Sequence, residues 1–135
     1  MVLTIIVALV LLAHGIGHSM GILQVLKVVT INPAWDGRSW LLRGVAGRTL
    51  TQVIGVVLWA VALIGFVVLA GVVVGWLPEA WWGPLAIVSS IASLAGLALF
   101  PTAFPTFSSV GALVVDLAVL ASVLWFDWVP SDLGA

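Results

Sequence analysis

The sequence predicts an all-α fold, an integral membrane bundle of four transmembrane helices. Two observations carry this. Of 135 residues, 64% are hydrophobic and only 7% charged, with a mean hydropathy of +1.36, whereas a soluble domain carries roughly 25% charged residues. The apolar residues are also gathered into four runs, each near the roughly 20 residues needed to cross a hydrocarbon core about 30 Å thick. Residues 1–135 then form a single transmembrane domain, with nothing left over for a soluble one.

The first span is expected over residues 2–26, ending at Lys27. It carries no charged leader and is followed by no small-residue cleavage pattern, so it is expected to stay in the mature chain. The second, 51–75, closes before the sequence Trp76-Leu77-Pro78-Glu79. The third, 84–100, is bracketed by "PEAWWGP" and "FPTAFPTF", where Pro84, Pro101 and Pro105 act as helix punctuation. The fourth, 108–126, precedes "DWVPSDLGA".

Orientation follows from the basic residues. Lys27, Arg38, Arg43 and Arg48 are all the Lys and Arg present, and all fall in the connection 27–50, which the positive-inside rule places in the cytoplasm. Both termini are then outside, as expected for a multi-pass protein of the cell (inner) membrane. Glu79, Asp127 and Asp132 fall on that outer side. Trp76, Trp81, Trp82, Trp125 and Trp128 are expected to form an aromatic belt there, with the indoles at headgroup level.

The connection itself is neither a span nor a short turn. Its arginines recur every five residues, so on a helix each turns about 140° from the last and they share no face. Asn32-Pro33 and Asp36-Gly37 are turn chemistry. Trp40, Leu41, Leu42 and Val45 are expected in the headgroup zone, with Lys27 and the three arginines on anionic lipid headgroups.

Several function classes fall away. A net charge of −1 provides no basic surface for nucleic acid. Zero cysteines remove thiolate catalysis, Cys-ligated zinc, iron–sulfur clusters and disulfides. Nothing resembles a nucleophile elbow, a phosphate loop or a dinucleotide fingerprint, so the reading leans away from an enzyme.

The polar residues inside the spans are few. Both histidines lie in "AHGIGHSMG" of the first span, and Asp116 is the sole carboxylate inside any span. His14 and His18 are 40° apart on a helical wheel, with Gly17 and Gly21 on the same side. Those glycines form a small-xxx-small pattern for close helix approach, so the histidines should face protein. His18 and Asp116 each lie about 13 Å from the cytoplasmic ends of their helices, and Ser93 falls at a similar level. An isolated carboxyl group in hydrocarbon is costly. Asp116 is therefore expected to hydrogen-bond His18 or His14, as imidazolium and carboxylate or as a neutral pair, on the face of the first helix that packs against the fourth. Gln52 and Trp59 either extend this layer or pack near the cytoplasmic boundary.

The favoured reading is a structural or accessory membrane subunit, fastened by a polar layer of His14, His18, Ser93 and Asp116. The alternative is a site for a metal ion, a proton or a small apolar ligand at His14, His18 and Asp116, in transport or redox-associated work. Imidazoles at i and i+4 with a carboxylate supply three metal ligands, although the Glu of the zinc-protease helix motif is missing. Two histidines one turn apart cannot bind opposite faces of one haem, so no haem is expected without a partner. Proton relays also use His and Asp at depth, and a transport path through four helices requires a homo-oligomer or a larger membrane complex.

The succession "AHGIGHSMG", a basic connection ending in "GR", "TQVIGVVLWAVALIGFVVLAG", "PEAWWGP" and an Asp in the last helix resembles a group of small bacterial four-helix membrane proteins of unknown function. Their His-Gly-x-x-His marker corresponds to residues 14–18. The resemblance spans the chain and implies architecture and a bacterial inner-membrane setting, with no activity attached. In size and helix number the chain is also similar to DoxX-like membrane proteins, which implies a redox association.

The topology has a direct test. Reporter fusions at the C-terminus should be active on the outer side of the membrane and fusions at Arg43 in the cytoplasm, and a cytoplasmic C-terminus would overturn the assignment.

Overall fold

The computed structural model describes residues 1–134. It consists of α1 (Val2–Val25), α2 (Arg48–Val73), α3 (Trp82–Leu99) and α4 (Thr106–Leu124). A 3₁₀ turn at Glu79–Trp81 leads into α3, another covers Pro130–Gly134, and no strand occurs among the described residues. By length and composition, four helical segments are able to cross a membrane.

The helix ends differ from expectation by a few residues, for local reasons. α2 begins at Arg48, behind an extended Gly47, and ends at Val73. It stops two residues before 75 because Gly75 turns left-handed (φ +78°). The Gly75 and Trp76 amides then donate to the carbonyls of Val72 (3.0 Å) and Gly71 (2.9 Å), the Schellman pattern that closes a helix. α1 closes the same way with Lys27 in the left-handed position (φ +60°), Lys27 N–H donating to Gln24 (3.1 Å) and Val28 N–H to Leu23 (2.9 Å). Pro84 lies inside the first turn of α3 rather than before it, where a missing N–H costs no helical hydrogen bond. Pro105 precedes α4, which starts at Thr106 rather than at 108.

α1 packs on α2, α2 on α3 and α3 on α4, while α1 and α4 scarcely meet. The bundle is therefore open along the seam between its first and last helices. Small residues set the close approaches. A Cβ at Gly15 would stand 3.0 Å from Phe66 Cβ and 3.1 Å from the Leu63 carbonyl, so α1 approaches α2 at Gly15. Gly65 admits Ser89 of α3.

Two apolar clusters fill the interior. One centres on Leu11, Ala62, Phe66, Leu69, Ala86 and Val119 and includes Trp82. Trp82 is thus removed from the expected outer belt: it is 3% exposed and packs edge-on against Trp128 at 5.1 Å. Trp76, Trp81 and Trp125 remain exposed. The other cluster surrounds Trp59, with Phe100 and Ala103 and the flanking Trp35 and Phe104. Trp59 is 1% exposed, so it packs and adds nothing to the polar layer. Gln52 lies under Gly37, at the loop end of the bundle.

The loop between α1 and α2 is fastened through unpaired helix carbonyls. Ser39 Oγ donates to the Leu99 carbonyl (2.7 Å) and Trp40 Nε1 to that of Ala98 (2.7 Å), satisfying two of the acceptors that every helix C-terminus leaves open. Asn32 Nδ2 and Gln24 Nε2 donate to the carbonyls of Thr102 and Ala103 at 2.6 and 3.0 Å. Gln24 Oε1 accepts the amides of Ile31 and Asn32. Trp40, Leu41 and Val45 present exposed apolar surface at this end, and Leu42 is half-buried.

Glycines 17 and 21, paired by spacing, behave differently. A Cβ at Gly21 would lie 2.6 Å from the Trp59 indole and 2.9 Å from Phe104, whereas nothing stands within 4 Å of one at Gly17. Gly21→Ala should lose about 1–3 kcal/mol of stability, as overpacking of a filled core does, and Gly17→Ala should lose none, gaining up to about 1 kcal/mol from the helix preference of Ala over Gly. Unfolding of the purified variants in mixed micelles of rising denaturing-detergent fraction measures both.

Candidate functional site

α1 places His14 and His18 on successive turns of one face, α3 places Ser93 opposite them, and α4 places Asp116 behind Ser93. Four side chains from three helices join into one hydrogen-bonded chain. His14 Nε2 lies 2.9 Å from Asp116 Oδ1. Ser93 Oγ donates to Asp116 Oδ2 at 2.6 Å and lies 3.1 Å from His18 Nε2. Ser93 thus bridges His18 and Asp116, and the tautomer of His18 sets whether its Nε2 donates to or accepts from the serine hydroxyl. The order is therefore His18, Ser93, Asp116, His14.

The network sits in an apolar interior. Asp116 and Ser93 are fully buried and His18 is 6% exposed. Phe66 of α2 forms its wall, edge-on to His14 at 4.4 Å and stacked with His18 at 6.4 Å. The two imidazoles meet edge-on at 4.9 Å. Phe66 has no polar signature and could not be singled out from sequence. Its position against Gly15 brings it here.

Of the two imidazoles expected as partners of Asp116, His14 makes the direct contact and His18 reaches it through Ser93. Two other expectations are revised by this geometry. The histidine face of α1 packs on α2 rather than on α4, because the close approach is made at Gly15. Gly17, on the edge of that face, is exposed and borders an opening instead of a helix. The two Nε2 atoms address different oxygens, and no cluster of three or more His, Cys, Asp or Glu able to hold a metal ion occurs among the described residues.

The opening is a groove of about 410 Å³ between α1 and α4. Ala13, Gly17, Phe107, Gly111, Ala112 and Val115 are among its lining residues, and both histidines border it. Each histidine has spent Nε2 on the network, so Nδ1 is the ring nitrogen left for anything entering from the groove. Ser109 also borders the groove, and its buried Oγ has no hydrogen-bond partner.

The basic residues lie apart from this site. Arg43 pairs with Asp36 at 3.8 Å, both well exposed, so part of its charge is answered within the loop. Lys27 and Arg48 border a separate polar cleft of about 490 Å³ that also contains Gln24, Asn32 and Gln52. Arg38 is exposed. Comparison with known proteins finds no matching family model, no matching curated protein and no matching solved structure.

The bridging role of Ser93 gives a sharp expectation. Ser93→Ala strands His18 Nε2 and one oxygen of Asp116 in an apolar interior and should cost about 1–3 kcal/mol. Ser93→Ala combined with His18→Phe should lose less than the sum of the separate losses, since members of one network are non-additive. Additive losses in the detergent-unfolding assay would show that the chain of bonds does not exist.

Proposed function

We propose that the chain is a multi-pass membrane protein, in a bacterial inner membrane with both termini outside, that binds a small apolar ligand in the α1–α4 groove through His14 and His18. The observation supporting this is the groove itself, which leads to the one polar network within the apolar bundle. A polar layer that only fastens helices, the reading favoured by sequence alone, accounts for the hydrogen bonds but not for the opening. A fastener gains from being covered, and larger side chains at Gly17 and Gly111, where nothing stands within 4 Å of a Cβ, would cover it.

In this reading the residues have separate tasks. His14 and His18 offer Nδ1 to the ligand. Asp116 and Ser93 hold the rings in place through Nε2, as an acidic or hydroxyl partner commonly fixes an imidazole. Phe66 sets their tilt from behind. Lys27, Arg38, Arg43 and Arg48 anchor the loop end at the cytoplasmic headgroups. The continuous chain from His18 through Ser93 and Asp116 to His14 also favours a second reading, in which protons pass between the rings; ligand binding at either ring would then be coupled to proton position.

The test uses the protein in lipid nanodiscs with ¹⁵N-labelled histidine and 1-butanol as the probe. Saturable shifts of the His14 and His18 ring nitrogens are expected in the natural sequence, and their disappearance in Gly17→Leu, which fills the groove and leaves the network intact. Ring signals unmoved by the alcohol in the natural sequence would overturn the reading.

A further inference from the structure

We infer that the natural ligand is a single-chain lipid with an uncharged hydroxyl head, the hydroxyl seated at His14 and His18 and the chain running along the α1–α4 seam toward Trp82 and Trp128; this rests on the binding site proposed above.

The first observation is that the groove does not stop at the histidines. A second cavity of about 350 Å³ continues along the same seam. The two share Val10 of α1 and Val115 of α4 as lining residues, so they form one trench. Trp82 and Trp128 border its far part. From His14 to Ile6 the trench follows eight residues of α1, about 12 Å of helix. A compact ligand would leave that length empty, whereas an extended hydrocarbon chain fills it.

The second observation is the distribution of polar groups. Both imidazoles and the unpartnered Ser109 hydroxyl border the first cavity. The continuation is walled by Ile6, Val7, Val10, Leu11 and the apolar residues of α4; Ser122, its one hydroxyl, already donates to the Val119 carbonyl at 2.7 Å, and Trp82 Nε1, buried without a hydrogen-bond partner, belongs to its far end. The trench thus has a polar end and an apolar body, the pattern of a molecule with one head and one tail.

The head must also suit its position. His14 and His18 lie about 10–17 Å inside the C-terminal end of α1, well below headgroup level. A phospholipid seated there would drag its phosphate into hydrocarbon, at a cost of many kcal/mol. No Lys or Arg borders either cavity to receive a carboxylate or phosphate, and Asp116 stands directly behind His14. A hydroxyl is small, neutral, and both donor and acceptor, so it can meet either tautomer at Nδ1.

The test compares 1-dodecanol with 1-butanol in nanodiscs, with concentrations expressed per lipid, and uses a dodecanol bearing a diazirine at its terminal carbon. The long alcohol should bind about tenfold tighter than the short one and, on irradiation, label the 114–119 stretch of α4 together with Trp82 or Trp128. Unlabelled dodecanol should compete the label away. Ala118→Trp, which plugs the continuation, should abolish the advantage of the long chain and leave 1-butanol binding unchanged. Equal affinities, or label spread over Val110, Leu113 and Leu117 on the outer face of α4, would overturn the inference while leaving the head site standing. Failure of both alcohols to move the histidine signals would instead remove the site on which it rests.

Discussion

A carboxyl group enclosed by hydrocarbon side chains must find hydrogen-bond donors or remain a liability of several kcal/mol, and Asp116 is such a group. It is fully buried on a helix whose other positions are almost all apolar. Its two oxygens are met from two other helices, by His14 and by Ser93. That requirement fixes the level at which α1, α3 and α4 stand relative to one another and places both imidazoles side by side. α2 contributes no polar group to the network, yet Phe66 and the close approach at Gly15 decide how far α1 is rotated and so which nitrogen reaches which oxygen.

The two ends of the bundle are held by different physics. Near the α1–α2 loop, three glycines make room for one indole: Gly21, Gly55 and Gly96 all face Trp59. The loop is tied to the end of α3 through Ser39 and Trp40, and to the turn after it through Gln24 and Asn32. At the opposite end, Trp82 packs on Trp128 inside the main apolar cluster. Between these fixed ends, α1 and α4 are joined mainly by His14 and Asp116. The seam can stay open there because hydrogen bonds hold what side-chain packing does not. Fastened ends and an open middle suit the proposed entry of a ligand from the side.

Some of the molecule is written in its local sequence. Four apolar runs, proline and glycine punctuation, and one loop holding every Lys and Arg are properties of neighbouring residues, so the helices and their order could be read without a structure. The need for a partner for Asp116 was also legible, since the cost of a lone intramembrane carboxyl group depends on hydrocarbon surroundings that the runs already imply. Ser93 was legible as a residue at the same level. Gln24, Ser39 and Trp35 were not, because each acts on a carbonyl or a ring far away in sequence and carries no distinguishing pattern of its own.

By itself, then, the sequence determined the all-helical class, the approximate helix bounds and the set of polar residues that must meet. Only the tertiary structure decided which histidine touches Asp116, that Gly15 rather than Gly17 is the close approach, that Trp82 is interior, and that α1 and α4 stand apart. The physical reason is that helical spacing gives angles around one axis, whereas each of these outcomes depends on how that axis is rotated against its neighbours. A rotation of a few tens of degrees exchanges a packed glycine for an open one. Volumes on the facing helices set it, Phe66 against Gly15 and Trp59 against Gly21, and no single helix contains that information.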